Sequence, residues 1–567
     1  MTTQQPSAKT GAFENLNEKC VQGPPEGGLY LCFISIHGLI RGHSLELGRD
    51  ADTGGQTKYV VELARALMER PEVARVDLIT RRVEDDQVSS DYAQAIEPLG
   101  RRGQIVRIDA GPPGYIAKEQ LWEHLHAFID NAMTYLGEQP RQPDLLHSHY
   151  ADAGFVGSRI SHVLGIPLVH TGHSLGRVKR RRLLASGVSA SDIETRFNIS
   201  MRIEAEENTL ASAERVITST QQEVDEQYGL YDFYQPDRMR VIPPGTDLEQ
   251  FHPPDGGEWQ TPIADTISRF LKEPEKPIIL ALSRPDPRKN IAALVKAYAG
   301  DEALQVTANL VIVAGNRETI EDLDQEAQDV LSDLLWQIDR FDLYGKVAYP
   351  KHHEPTDVSL IYRLAVVTGG VFVNPALTEP FGLTLIEAAA SGLPIVATED
   401  GGPRDIIENC QNGVLVNPLE PEDIANGIKE VLSDWETWQK RSLAGLNGVR
   451  EHYSWTAHAE SYLRTIRPVV DRTSAPLTSS SPVRRPLRYH DRAIFTDLDK
   501  CLLTDPQELP PLIELIRSQH KVATFGIATG RRLDSALSMI KRHHICEPHV
   551  LITSCGTDTS KSSGRHA

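Results

Sequence analysis

The sequence predicts an α/β protein of two doubly wound, Rossmann-like domains facing a cleft, followed by a partial third α/β domain. Three observations predict it. Short apolar runs alternate with helical patterns in two successive series, the alternation breaks at Pro243-Pro244-Gly245-Thr246-Asp247, and a Ser/Pro-rich stretch separates one further strand pattern from the rest. Strands that alternate with helices imply mostly parallel sheets, because a parallel connection needs a crossover helix.

The first run, Leu29 to Ile36, reads as a buried strand and is followed by the span Gly48-Arg49-Asp50-Ala51-Asp52-Thr53-Gly54-Gly55-Gln56. Thr57 to Glu69 then carries apolar Tyr59, Val60, Leu63, Ala64 and Leu67 at helical spacing. The order is strand, glycine loop, helix. Gly54 and Gly55 are expected to let the main chain bend and to leave no Cβ between its N–H groups and a bound sugar or phosphate. Val76–Thr80, Gly103–Ile108, Leu145–His147, Pro167–His170 and Val216–Thr218 predict further strands, with a helix over Leu121–Leu136.

A second series begins at Pro277–Leu282 and continues through Leu310–Ala314, Val347–Tyr349, Val371–Val373 and Ile395–Ala397. The resulting boundaries are an N-terminal tail 1–27, domains 28–243 and 244–455, a helix 456–471 returning to the first domain, a linker 472–490 and a third α/β unit 491–567. Ligands in such open sheets sit at the carboxyl ends of the strands.

With 59 basic against 78 acidic side chains and a net charge of −19, the 567-residue chain disfavours nucleic acid as a partner, so any phosphate must be held by a local basic site. Six scattered cysteines without a Cys-x-x-Cys pair fit a reducing compartment. No stretch approaches the ~18 apolar residues of a membrane span, and the polar residues 1–28 do not read as a signal peptide. A soluble cytoplasmic protein with no membrane partner is expected.

Three segments carry chemistry. Glu379-Pro380-Phe381-Gly382-Leu383-Thr384-Leu385-Ile386-Glu387 opens a helix whose first N–H groups suit a pyrophosphate, and its two glutamates can grip different hydroxyls of one extended ligand. Leu282 to Asn290 is a strand end followed by a loop with Arg284 and Lys289, two cations able to neutralise a departing diphosphate without a metal. His170-Thr171-Gly172-His173-Ser174-Leu175-Gly176 leaves a strand and enters the basic run Arg177 to Arg182, which inside an acidic chain favours a small phosphorylated ligand over a solvated face.

Together with Ile36-His37-Gly38-Leu39-Ile40-Arg41-Gly42 and Ser391-Gly392-Leu393-Pro394, these motifs resemble the sucrose-phosphate synthase family of retaining, GT-B-type glycosyltransferases over roughly residues 28 to 470. The resemblance implies transfer of glucose from UDP-glucose to fructose 6-phosphate, giving sucrose 6-phosphate and UDP with retention at the anomeric carbon, and no metal or cofactor. On the donor side it implies Gly54, Gly55, Arg284, Lys289, Ala348, Glu379, Phe381, Gly382, Leu383, Thr384 and Glu387. Arg284 and Lys289 would clamp the diphosphate, Glu387 would hold the ribose and Glu379 the glucose hydroxyls, and Ala348 would meet the base through its main chain, which leaves UDP and ADP both open. On the acceptor side it implies Gly55 and Gln56 for the sugar and Lys118, Tyr150, Ser174, Lys179 and Arg202 for the 6-phosphate, with His173 touching the transferred glucose. His173, Glu379, Arg284 and Lys289 are the expected catalytic group. A sucrose synthase using free fructose is the nearest alternative, and Lys118, Lys179 and Arg202 argue against it because an uncharged acceptor gives no reason to collect cations.

In the third unit, Asp497-Leu498-Asp499 and Ala528-Thr529-Gly530-Arg531 resemble the first two motifs of haloacid-dehalogenase-type phosphatases, and Leu551 to Thr557 resembles sucrose-phosphatase sequence. The resemblance implies a truncated phosphatase-like unit, vestigial because Cys501 departs from the usual Thr or Val and the later lysine and acidic Mg²⁺ ligands lack counterparts. A sucrose-6-phosphate phosphatase, or a silent sugar-nucleotide-binding regulator, are the remaining alternatives.

Overall fold

Uninterrupted runs of branched aliphatic residues are satisfied only by burial on both faces of a sheet, which is the environment of a parallel strand between two helix layers. A computed structural model describes residues 27–474 apart from 47, 48, 50 and 51, and residues 492–561 apart from 505, 506, 519–522, 544, 547 and 554–557. The N-terminal tail up to residue 26, most of the expected linker, and Gly48, Asp50 and Ala51 of the glycine span lie outside the described residues.

The first sheet contains β1 (Leu29–Ile34), β2 (Val73–Arg81), β3 (Ile96–Pro98), β4 (Gly103–Ile108), β5 (Leu145–His149), β6 (Leu168–Thr171), β7 (Arg215–Thr218) and β8 (Met239–Val241). Their spatial order is β3-β4-β2-β1-β5-β6-β7-β8. The pairs β4–β2, β2–β1, β1–β5, β5–β6 and β6–β7 are parallel, whereas β3 runs antiparallel to β4. Every residue of β1, β4, β5 and β6 is buried, as their apolar runs require. β3 and β8 are absent from the expected strands because three residues show no periodicity.

The second sheet contains β9 (Ile278–Ser283), β10 (Asn309–Ala314), β11 (Val347–Ala348), β12 (Val371–Asn374), β13 (Ile395–Thr398) and β14 (Gly413–Val416), in the order β11-β10-β9-β12-β13-β14. All its pairs are parallel. Its core joins Ile279, Leu280, Val311, Val313, Phe372 and Val396 to the apolar faces of the flanking helices. β14, with Val414 and Leu415 incompletely buried, is absent from the expected strands although Val414, Leu415 and Val416 are consecutive aliphatic residues.

The chain divides into two compact units, one holding the residues up to Ile217 with Glu226–Arg240 and Thr465 onward, the other Thr218–Asp225 and Val241–Arg464. A third sheet, β15 (Arg492–Asp497), β16 (Ala523–Ala528), β17 (Val550–Thr553) and β18 (Asp558–Lys561), is parallel over its first three strands and antiparallel at the last pair. The helix Trp455–Ser474 runs past residue 471, so the first three residues assigned to the linker are helical. No helix among the described residues is long and apolar enough to cross a membrane.

Candidate active site

Strand order reverses between β1 and β5 in the first sheet and between β9 and β12 in the second. Loops leaving neighbouring strands in opposite directions open a crevice there, and the motif residues follow those strands: His37 and Gly38 after β1, Tyr150 after β5, Arg284 and Lys289 after β9, and Glu379 after β12.

Among the motif glycines of the first unit, Gly38 is one that the backbone demands. Its φ is +80°, and a Cβ would lie 2.7 Å from the Asp52 carbonyl. Gly54 and Gly55 correct the expectation that glycine is needed there for the bend: Gly54 has φ −148°, and a Cβ on either residue would enter open space. What remains for them is room, since the helix Gly55–Met68 begins without a side-chain cap. Gln56 reaches back to the Ser35 hydroxyl (3.2 Å) and the His149 carbonyl (3.4 Å).

Lys118, Tyr150, Ser174, Lys179 and Arg202 form one connected cluster. Arg202 donates to the Ser174 carbonyl (2.7 Å) and hydroxyl (3.3 Å) and lies 4.4 Å over the Tyr150 ring. Lys118 and Lys179 share Glu119, each 3.8 Å from its carboxylate, and Lys179 covers the Phe197 ring at 3.7 Å. Lys118 also closes on Asp52, which accepts from the Lys118 N–H (3.0 Å) and the Tyr115 hydroxyl (2.9 Å). Burial pushes the Asp52 carboxyl up, but the hydrogen bonds from Lys118 outweigh it and hold the group below its usual range. Lys179 moves down: burial, with Arg202 and Lys118 nearby, outweighs Glu119. Arg180, Arg181 and Arg182 are exposed, so only part of the basic run turns inward.

His173 has φ +56°, stacks on His149 at 5.3 Å and shares a hydrogen bond with it, 3.0 Å between His149 Nδ1 and His173 Nε2. It keeps part of its surface open, yet burial and then His170 and His37 push its imidazole well below its usual value, so it is neutral near pH 7. His37 pairs with buried Asp152 at 2.7 Å. His149 and Asp152 belong to none of the motifs. Their signal in the sequence, polar residues at the end of the β5 apolar run, is visible only once that run is known to end at a crevice.

In the second unit, Lys289 Nζ lies 2.6 Å from Glu379 Oε2, which also accepts from the Asn374 amide at 2.9 Å. Glu379 is 8% exposed. Its backbone pairs with Asp400 and Gly402, and at Gly401, with φ +107°, a Cβ would lie 2.1 Å from the Glu379 carbonyl. The helix Leu383–Ala390 starts after Gly382, whose φ of +103° suits glycine, and no side chain caps it. The Leu385 N–H turns back to the Gly382 carbonyl (3.0 Å), and the helix start is flanked by exposed Leu383 and half-buried Phe381 and Thr384. Glu387 lies one turn in, next to Tyr362, whose buried hydroxyl is pushed up by burial and then by that carboxylate. Ala348 is buried at the end of β11. Arg284 is exposed. The structure thus brings Lys289, Glu379 and Asn374 into contact and leaves Arg284 outside that contact, whereas the sequence had set both cations together against a diphosphate.

In the third sheet, Asp499 takes a two-pronged hydrogen bond from Arg531, with contacts of 2.6 to 2.9 Å. No group of three or more His, Cys, Asp or Glu among the described residues is arranged to hold a metal ion.

Two doubly wound units with a glycine-opened helix in each define a GT-B glycosyltransferase fold, and the domain matches agree: residues 53–250 match the Glycosyltransferase Family 4 model and residues 264–445 the Glycosyl transferases group 1 model. Residues 490–566 match Sucrose-6F-phosphate phosphohydrolase, a haloacid-dehalogenase-like unit. The particular resemblance is to sucrose-phosphate synthase. A probable sucrose-phosphate synthase of Solanum tuberosum is 45% identical over 77% of this chain and 47% of its own length, and the sucrose-phosphate synthase of Zea mays 45% over 78% and 47%. The chain therefore spans about half the length of the curated relatives it matches. The solved sucrose-phosphate synthase from Thermosynechococcus elongatus superposes with a TM-score of 0.58 at 25% identity, covering 78% of this chain and 100% of that one. Anabaena HepE in complex with UDP shares the fold at a TM-score of 0.53 and 16% identity, covering 78% of this chain and 100% of that one.

Proposed function

We propose that this chain transfers glucose from UDP-glucose to fructose 6-phosphate, releasing UDP and sucrose 6-phosphate with retention of anomeric configuration. The observation that carries this reading is that Arg202, held against Ser174 and Tyr150, acts electrostatically on Lys179, which shares Glu119 with Lys118. Asp52, Glu119 and Glu206 pair with these cations, yet burial, with Arg202 and Lys118 nearby, still pushes the Lys179 ammonium down, so its charge is incompletely offset. A dianionic phosphoryl group on the acceptor completes that offset; a neutral sugar does not.

On the donor side, Lys289, Arg284 and the N–H groups of Gly382 to Thr384 stabilise the diphosphate as negative charge develops on it. Glu379, held by Lys289 and Asn374, presents its other carboxylate oxygen to glucose hydroxyls. Glu387 takes the ribose, Ala348 meets the base through its backbone, and Phe381 and Leu383 line the nucleotide. Gly54 and Gly55 leave space at the diphosphate, and Gly55 and Gln56 meet the acceptor sugar. Neutral His173 hydrogen-bonds the transferred glucose. The attacking hydroxyl's proton passes to an oxygen of the departing phosphate, so no separate carboxylate base is required. In the third unit Arg531 pairs with Asp499, the carboxylate that a phosphatase would use as acid/base, which counts against hydrolysis there.

UDP release with UDP-glucose and either fructose 6-phosphate or fructose tests the reading. Strong preference for the phosphorylated sugar is expected; equal turnover of both would overturn the assignment of Lys118, Lys179 and Arg202.

A further inference from the structure

Glu206 lies in the helix Ile199–Ser212, is 2% exposed and belongs to none of the motifs. Both its carboxylate oxygens accept from the Gly176 N–H at 3.0 Å, Oε1 accepts from Arg202 Nε at 3.0 Å, and Oε2 accepts from the Tyr231 hydroxyl. Gly176 begins the helix that carries Lys179, and a Cβ there would lie 2.8 Å from Glu206 Oε2, so the first turn sits directly on the carboxylate. Arg202 has Nε taken by Glu206 and one terminal nitrogen taken by Ser174, which leaves Nη1 with no hydrogen-bond acceptor among the described residues. One buried anion therefore ties together three features: the guanidinium, the Ser174–Gly176 loop, and the helix end below Lys179.

We propose that Glu206 is a positioning residue that sets preference for a phosphorylated acceptor, aiming Arg202 Nη1 and Lys179 at one phosphoryl group. The inference rests on the acceptor reading above. A guanidinium pinned at two nitrogens presents its third in one orientation, and that preorganisation is lost when the pin is neutral. Burial pushes the Glu206 carboxyl up, and Arg202, the Tyr231 hydroxyl and the Gly176 N–H act against that push, so removing the carboxyl acts on all three together.

The test compares Michaelis parameters and melting temperature for the unmodified chain, Glu206→Gln, Glu206→Asp and Arg202→Met. Glu206→Gln keeps the size and an acceptor for Gly176 but loses the charge, and is expected to raise KM for fructose 6-phosphate by about ten- to hundredfold while KM for UDP-glucose holds. Glu206→Asp keeps the charge but falls short of spanning Gly176 and Arg202, and a smaller rise confined to the same substrate is expected. It carries the test if Glu206→Gln fails to fold. If Arg202→Met raises KM for fructose 6-phosphate but neither Glu206 variant does, the inference is overturned and the acceptor reading stands. Equal rises for both substrates, tracking a lowered melt, mark Glu206 as structural and also overturn it. If Arg202→Met leaves the fructose 6-phosphate KM unchanged, the acceptor reading itself fails and takes the inference with it.

Discussion

Replacing Lys289 by alanine separates what the Lys289–Glu379 pair does for the fold from what it does for transfer. The ammonium is 2.6 Å from a carboxylate whose side chain is 11% exposed, while the lysine side chain is 26% exposed. Without it, Glu379 keeps the Asn374 amide as its side-chain partner among the described residues. Breaking a fully buried pair costs about 3–5 kcal/mol, but water can reach the lysine side here, so about 1–3 kcal/mol is expected. For a unit of this size that is a fall of roughly 2–10 °C in its melting temperature. Adding Glu379→Gln removes the stranded charge, and the double variant should recover most of the loss. Transfer should not recover: losing one preorganised donor to developing charge costs about a hundredfold or more in kcat. Thermal melts and UDP release, measured well below the melt, follow the two effects independently. A double variant no more stable than Lys289→Ala, or one whose activity returns with its stability, would refute the division of labour.

Gly55→Ala inverts that pattern. A Cβ meets open space, and alanine in the first helical turn is favoured over glycine by about 0.5–1 kcal/mol, so the melt should hold or rise while UDP release falls. A lowered melt would return the residue to a role in the fold. His170, 1% exposed, is pushed down by burial to about 4 from an ordinary 6.5. The unfolded chain then binds a proton that the folded one refuses, so stability is complete above pH 6.5 and is lost as pH falls toward 4, by roughly 3 kcal/mol for this one group. His170→Asn, which can still bond the Ser148 hydroxyl, should flatten the dependence of urea midpoints between pH 5 and 7. Equal slopes in the two proteins would sink the assignment.

Local pattern made the sheets legible. Leu29–Ile34, Ile278–Leu282 and Leu310–Ala314 are apolar runs with no solvent face, and each is a buried parallel strand. β3 and β8 were not legible, because three-residue strands are stabilised by pairing with a neighbour and not by their own periodicity, whereas the aliphatic run Val414–Val416 of β14 was a signal left unread. Among site residues, Gly382 was legible as the opening of a helix with free N–H groups, and its φ of +103° adds a backbone reason for glycine that the sequence does not display. The role of Gly54 was misread in part, since a glycine needed for space and one needed for a turn look alike in sequence.

By itself, then, the chain's sequence determined the alternation of strand and helix, the order of the glycine and basic motifs, and their resemblance to sucrose-phosphate synthases. Which carboxylate answers which cation was decided by tertiary structure: Lys118 meets Asp52 across 66 residues, Lys289 meets Glu379 across 90, and Glu206 joins Gly176 from 30 away. Periodicity reports what lies within a few turns of the chain, whereas the energy of a buried charge depends on partners within about 4 Å in space, and only the folded sheets bring those partners near.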